Sequence, residues 1–296
     1  MNVTVLYGGP SSEREVSLNS GRAVIEALRE LGHAVHAADI SPDDLSSLDK
    51  PADVIFPVLH GEFGEDGTLQ QIMEARGLRF VGSGSAASRL GFDKTAAKRT
   101  WVARGLPTPR WREVHRNDRR HDVPAPCVVK APRSGSSIDV FICPTDEAAA
   151  NAVDDVLRRH PTALVEQFIK GVELTVGILE DRPLPAIRIA TPDGFYGYED
   201  KYRSSTTEYH FDTLLPDGVV DACQRLALDA FASLGCRDLG RVDMIVDAEH
   251  RPWLLEINTL PGFTARSLLP KAARQAGIEF NALVDLLVKR AAARSA

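Results

Sequence analysis

Arg241, Asp243, Glu256 and Asn258 carry the clearest chemistry in this chain. They sit in two apolar-rich segments, Arg241-Val242-Asp243-Met244-Ile245-Val246 and Pro252-Trp253-Leu254-Leu255-Glu256-Ile257-Asn258, joined by the polar stretch Asp247 to Arg251. This pattern predicts a β-hairpin. A turn centred on Glu249 and His250 sets Asp243 opposite Glu256 and Arg241 opposite Asn258, and opposed residues of an antiparallel pair share a face. That face then holds two carboxylates, an amide oxygen and a guanidinium, while Val242, Met244, Leu255 and Ile257 turn to the apolar side. Oxygen donors without cysteine or histidine suit Mg2+ or Mn2+. The neighbouring arginine suits negative charge that develops in a transition state. Ordinary ion pairs on a solvated strand fit the same four residues, and the hairpin alone leaves both readings open.

A second group of residues has the chemistry of phosphate binding. Lys130 ends an apolar run and Pro132-Arg133-Ser134-Gly135-Ser136-Ser137 follows, a small-residue loop whose backbone N–H groups can approach phosphate oxygens. A plain β-turn accounts for it equally. Glu166-Gln167-Phe168-Ile169, at the end of another apolar run, offers a carboxylate and backbone groups to an adenosine, or is an edge strand with an exposed acid. There is no GxxxxGK[ST] run, and Gly8-Gly9 lacks GxGxxG spacing, which argues against a P-loop and against a dinucleotide-dependent oxidoreductase.

The elements that must position these residues fall into three groups. Val3 to Tyr7, Ala34 to Asp39, Val54 to Leu59 and Leu78 to Val81 read as strands. Between them lie a helix opened by a Ser12/Glu15 capping box and a second helix from Thr68 to Ala75, so an open α/β lobe is expected. After Gly82-Ser83-Gly84 the pattern changes. A helix from Asp93 to Arg104 is followed by strands at Cys127 to Lys130, Ile138 to Ile142 and Ala163 to Phe168, with a helix near Glu147 to Arg159, a small α+β lobe. Beyond Gly171 come further strands, a helix near Val219 to Leu234, the hairpin, and helical segments after Ser267.

Composition bounds the function. The chain has 296 residues, 44% of them hydrophobic, enough for two or three packed lobes, and a net charge of -6 that disfavours a nucleic-acid partner. Its four cysteines, Cys127, Cys143, Cys223 and Cys236, form no CxxC pair and read as buried thiols of a reducing compartment. No apolar run is long enough for a membrane span or a signal peptide, so a cytoplasmic protein is expected.

Taken in order, Gly8-Gly9-Pro10-Ser11-Ser12-Glu13-Arg14-Glu15-Val16-Ser17, His60-Gly61-Glu62-Phe63-Gly64-Glu65-Asp66-Gly67, Asp93-Lys94, Gly135-Ser136-Ser137, Lys201-Tyr202, Gly240-Arg241-Val242-Asp243 and Glu256-Ile257-Asn258-Thr259-Leu260-Pro261-Gly262 resemble the motifs of the D-alanine–D-alanine ligase family, from Gly8 to Ala276. The resemblance implies a three-lobed ATP-grasp fold: an N-terminal α/β lobe at 1–84, a central lobe at 85–170 and a C-terminal lobe at 171–296. It implies ATP held by Lys94, Lys130, Ser137 and Lys201 at its phosphates, by Glu166, Gln167 and Ile169 near adenine and by Glu173 at ribose. Two Mg2+ or Mn2+ ions would sit on Asp243, Glu256 and Asn258.

For the amino acids, the resemblance gives Glu13 to the first D-alanine's ammonium with His60 close by, and Ser267 and Leu268, with Lys201, to the second substrate. Read locally, Glu13 is also a first-turn dipole partner, His60 a loop histidine and Ser267 an N-cap. The implied reaction runs through an acyl phosphate, with Arg241 and the Gly262 N–H holding the oxyanion, and supplies peptidoglycan synthesis. Tyr202, in a closing loop from about Phe195 to Phe211, would reach Ser136 and Glu13. Gln167 departs from the lysine common in relatives. A homodimer is expected. The alternative is a related ATP-grasp ligase joining other amino acids, whereas a regulatory protein without turnover is disfavoured by the intact Asp243, Glu256, Asn258 and Arg241.

Overall fold

The structure is a computed structural model that describes residues 1–135, 139–190 and 207–294. β1 (Asn2–Tyr7), β2 (Ala34–Asp39) and β3 (Val54–Pro57) form a parallel sheet in the order β2-β1-β3, crossed by α1 (Arg14–Glu30) and followed by α2 (Thr68–Ala75). Gly8 and Gly9, both at positive φ, turn the chain from β1 toward α1. The expected capping box does not form. Glu13 is the N-cap and makes no side-chain cap bond, while Ser11 Oγ accepts the Glu13 N–H at 3.2 Å. The expected strand from Leu78 to Val81 reduces to one parallel bridge, Ile55 to Phe80, because the chain turns away at Gly82, where φ is +100°.

α3 (Ser85–Phe92) and α4 (Lys94–Ala103) lead into the central sheet. Asp93 caps α4, its carboxylate accepting from the N–H groups of Thr95 and Ala96 at 3.0 and 3.1 Å. β4 (Trp111–His115), β5 (Cys127–Lys130), β6 (Val140–Cys143) and β7 (Thr162–Gln167) pair antiparallel in the order β4-β7-β5-β6. α5 (Asp146–Arg159) lays Val153, Val156 and Leu157 on one face of this sheet, against Val114, Val129 and Val165. Strand alternation then puts Lys130 and Glu166 on the other face.

The third sheet contains β8 (Gly171–Leu179), β9 (Arg182–Pro183), β10 (Ile187–Ala190), β11 (Glu208–His210), β12 (Leu239–Asp247) and β13 (Pro252–Asn258). Its order is β11-β10-β8-β12-β13, with β9 beside β8. α6 (Asp217–Ser233) and α4 cover its apolar face, where Trp101 and Phe231 meet Leu174, Val176, Val242, Met244, Leu254 and Ile257. The chain ends with α7 (Leu268–Gln275), which packs on β8, and α8 (Phe280–Ala293), which packs against α1 and β3 and carries Leu283, Val284 and Leu287 into the core of the first sheet. One core thereby spans the first and last elements, so the loop before α7 is fixed against the N-terminal sheet.

Candidate active site

β12 and β13 pair with Arg241 opposite Asn258 and Asp243 opposite Glu256, as expected from sequence, but by a different route. Near the turn the register is Met244 to Leu254, Ile245 to Trp253 and Val246 to Pro252, and it shifts between Asp243 and Met244. A bulge at Leu255 therefore corrects a turn one half-step away from the expected centre. The bulge also reverses one expectation. Leu254, not Leu255, joins the apolar core, because the extra residue resets the alternation and lets Leu254 and Ile257 share a face.

The polar face is densely bonded. Arg241 forks onto Asp243, Nε to Oδ1 at 3.0 Å and one terminal nitrogen to Oδ2 at 2.9 Å, and the Thr175 hydroxyl on β8 donates to Oδ1 at 2.5 Å. Lys94, the first residue of α4, lies 3.1 Å from Glu256 Oε2 and donates to the Ser134 carbonyl at 2.7 Å, so it joins the β13 carboxylate to the loop after β5. Asn258 Oδ1 accepts the Leu260 N–H at 3.0 Å. Among the described residues no three His, Cys, Asp or Glu side chains gather as a metal cluster, so any cation here rests on two carboxylates and one amide.

Across from the hairpin, a cleft of about 340 Å3 is lined by Glu13, His60, Lys94, Arg241, Glu256, Asn258, Gly262, Ser267 and Leu268, among others. Residues far apart in sequence are brought here by the shared core. Phe263 stacks between Phe56 and Phe280, each centroid 5.6 Å away, and its N–H donates to Ser20 Oγ on α1 at 3.0 Å. Gly262 is held beside α1 by that anchor. Glu13 meets two glycines: a Cβ on Gly135 would lie 2.7 Å from its carboxylate and one on Gly61 3.2 Å, so both close approaches depend on glycine. Ser267 holds the N-cap position of α7 but makes no side-chain cap bond; its hydroxyl accepts the Thr264 N–H at 3.1 Å, from the loop before the helix.

His60 is buried beside Glu65, with Nδ1 3.9 Å from Oε1, and its Nε2 is 3.5 Å from Ser20 Oγ. Burial disfavours its imidazolium, but the hydrogen bond and charge of Glu65, with Glu13 behind, outweigh this and raise its pKa above the ordinary value. Burial raises the Glu65 pKa, against the hydrogen bond and charge of His60.

Lys130, Glu166, Gln167, Ile169 and Glu173 do not line the cleft; they belong to the central sheet and the start of the third. Glu166 lies between two ammoniums, Lys98 at 2.7 Å and Lys130 at 3.1 Å. Burial alone would raise its pKa, and the charges of Lys130 and Lys98 overturn that and lower it. Gln167 is exposed and Ile169 half-buried where the chain leaves β7. Glu173 pairs on β8 with Ile189 and Ile245, on the same sheet face as Thr175. Ser136, Ser137, Lys201 and Tyr202, with most of the expected closing loop, lie outside the described residues. Sequence reasoning missed Lys98, Thr175, Ser20 and the pairing of Glu65. For Lys98 a signal existed: it stands one turn after Lys94, beside Ala97 and Trp101 on the apolar side of α4.

Comparison with known proteins bears on what this arrangement is. A family model described as D-ala D-ala ligase C-terminus matches residues 101–289, and one described as D-ala D-ala ligase N-terminus matches residues 35–83. The chain belongs to the D-alanine–D-alanine ligase family. It is 42% identical to the D-alanine–D-alanine ligase of Bordetella avium over 94% of this chain and 90% of that one. It is 43% identical to that of Chromohalobacter salexigens, over 95% and 91%. The crystal structure of D-alanine–D-alanine ligase from Bacillus anthracis complexed with ATP matches with a TM-score of 0.86 and 29% identity, covering 98% of this chain and 97% of that one. The fold is thus the ATP-grasp fold of that family, with its N-terminal open α/β unit. No helix among the described residues is long and apolar enough to cross a membrane.

Proposed function

We propose that this chain joins two molecules of D-alanine into D-alanyl-D-alanine, using ATP, for peptidoglycan precursor synthesis. The observation that carries this reading is the convergence of Glu13, Lys94, Arg241, Gly262 and Ser267 on one cleft, in a chain of this family. An anionic acceptor for an ammonium, a helix N-terminus for a carboxylate and a guanidinium for developing charge are what an amide-forming site for amino acids requires.

Glu13 takes the ammonium of the first D-alanine, with the His60–Glu65 pair beside it. The carboxylate of that first D-alanine attacks the γ-phosphorus of ATP; the bond to the β-γ bridging oxygen breaks, ADP leaves, and a D-alanyl acyl phosphate remains. Lys94 and Lys130 offset phosphate charge, while Glu166, Gln167 and Ile169 hold adenine and Glu173 the ribose. Ser267 and the N–H groups opening α7 at Leu268 receive the second D-alanine's carboxylate. Its ammonium gives one proton to water and the resulting amine attacks the acyl carbon; Arg241 and the Gly262 N–H hold the oxyanion, and phosphate departs with the C–O electron pair and takes the second nitrogen proton. Ser136, Ser137, Lys201 and Tyr202 complete the set as the family resemblance assigns them.

Asp243, Glu256 and Asn258 would hold Mg2+ or Mn2+, two ions in this reading. The donors fit, because all are hard oxygens and Asp243 Oδ2, bonded by Arg241 alone, retains accepting capacity, whereas Oδ1 is already filled by Arg241 Nε and the Thr175 hydroxyl. Bound there, the ions supply positive charge to the triphosphate. The same reading divides the chain into lobes at 1–84, 85–170 and 171–296 and makes it a cytoplasmic homodimer, with the dimer checked by light scattering.

ADP release with D-alanine as the only amino acid, measured with and without Mg2+, tests the assignment. Release is expected only with both present. Failure of D-alanine to stimulate it, alongside stimulation by another amino acid pair, overturns the substrate. Arg241→Met is expected to lower kcat about 100- to 1,000-fold while ATP still binds.

A further inference from the structure

The geometry points to Lys98 as a positioning residue for nucleotide: it is the permanent counter-ion of Glu166, and it thereby leaves Lys130 free to grip the triphosphate. This rests on the reading that Lys130 and Glu166 belong to the ATP site. The two lysines flank one carboxylate but differ in what else they touch. The Lys98 side chain is 0% exposed; it is ion-paired with Glu166 Oε2 at 2.7 Å and donates to Thr108 Oγ1 at 2.5 Å and to the Leu254 carbonyl at 3.4 Å. Thr108 in turn donates to that same carbonyl at 2.8 Å. Lys98 has three oxygen neighbours and no exposed surface, walled in between the central sheet and β13, and cannot reach a ligand.

Lys130 has Glu166 as its one partner among the described residues, at 3.1 Å, and its side chain is 8% exposed. An ammonium carries three donors, so two remain. Two ammoniums against one carboxylate leave one positive charge in a buried setting, and only Lys130 can present it. With Lys98 absent, Lys130 becomes the sole counter-ion of a sealed carboxylate. Drawing it toward phosphate would then strand the charge of Glu166, which a buried carboxylate resists.

The consequence is that Lys98 acts on ATP only through Glu166, which a double-mutant cycle reads directly. ATP affinity is measured by calorimetry for the wild type, Lys98→Met, Glu166→Gln and the double variant. Lys98→Met is expected to weaken ATP binding about tenfold or more in the wild-type background and less than about twofold in the Glu166→Gln background. In turnover the KM for ATP rises by a similar factor, while the KM for D-alanine stays within about twofold. A purely structural lysine would cost the same in both backgrounds, and that result overturns the proposal. So does an unchanged ATP affinity in Lys98→Met. If Lys98→Met does not fold, Glu166→Gln against the double variant decides, since a tenfold gap between them shows Lys98 acting by another route. A wild-type chain that fails to bind ATP defeats the functional reading itself, an outcome separate from any of these.

Discussion

Glu166 and Asp238 are both carboxylates sealed beneath two cations, at 2% and 0% side-chain exposure, and the cations differ in kind. Over Glu166 they are lysines, one walled in by three oxygens and one with donors to spare. Over Asp238 they are Arg290 and Arg294, on and just after α8, and each holds a further partner: Arg290 Glu180 at 2.8 Å and Arg294 the Phe80 carbonyl. Asp238 also accepts the Gly82 N–H at 2.7 Å, so three parts of the chain, near 82, 238 and 294, close on one carboxylate. A lysine can turn, release a bond or give up its proton. A guanidinium in a fixed fork does none of these. The same ratio of charges therefore makes a latch in one place and leaves a lysine with unused donors in the other.

The largest effect should come from breaking the latch. Asp238→Ala leaves two guanidiniums and the Gly82 N–H without their shared acceptor, and loss of one partner from a buried ion pair costs about 3–5 kcal/mol. Urea unfolding followed by circular dichroism measures it. ATP affinity of the folded variant should match the wild type, since Asp238 is remote from the cleft lining. A loss under about 1 kcal/mol would mean that the arginines simply hydrate, and the distinction between the two carboxylates would fail.

The lysine cluster should instead show itself through pH. Burial, only partly opposed by Glu166 and reinforced by Lys130, pulls the Lys98 pKa down from 10.5 to about 8. Between pH 8 and 10.5 the unfolded chain then holds more protons on this lysine than the folded one, so the Lys98 contribution to stability rises with pH across that window. Below pH 8 both states are charged and the slope vanishes. The stability of the wild type minus that of Lys98→Met should climb from pH 8 to 10.5, by at most about 1.4 kcal/mol per pH unit. Asp238→Ala minus wild type should be flat there, because arginine does not titrate. A flat lysine difference would show that Lys98 keeps its proton and resembles the arginines after all.

How much of this was legible beforehand depends on how far apart the interacting residues lie. The hairpin was readable because period-two alternation and cross-strand pairing are local, and Arg241, Asp243, Glu256 and Asn258 follow from about twenty consecutive residues. The bulge at Leu255 was not, since only packing of Leu254 and Ile257 on α4 and α6 decides which of two adjacent leucines turns inward. Gly262 reaches α1 through a contact spanning 243 residues, Phe263 to Ser20, and no spacing rule encodes that; the family motifs supplied it instead. Lys98 was missed because a lysine in an amphipathic helix reads as a surface residue until the acid 68 positions later is folded over it.

Asp247 gives the smallest and sharpest case, a carboxylate with a single arginine at the hairpin turn. It accepts the Arg251 N–H at 2.9 Å, the Glu249 N–H at 3.0 Å, the Trp253 indole at 2.9 Å and Arg251 Nε at 2.8 Å. Partial burial would raise its pKa, but the Trp253 indole and the N–H, guanidinium and charge of Arg251 prevail and lower it from 3.8 to about 2. Its stabilisation is then complete above pH 3.8 and disappears as pH falls through about 2, where both states are protonated. Asp247→Asn keeps the shape and loses the charge, so its melting temperature should lie below the wild type at pH 7 and converge on it near pH 2. The bulge lies between this turn and Glu256, so a loosened turn need not shift the Asp243–Glu256 pairing, and kcat should hold. A fall in kcat that tracks the melting temperature would show that turn and cleft form one rigid unit, with the bulge transmitting strain instead of absorbing it.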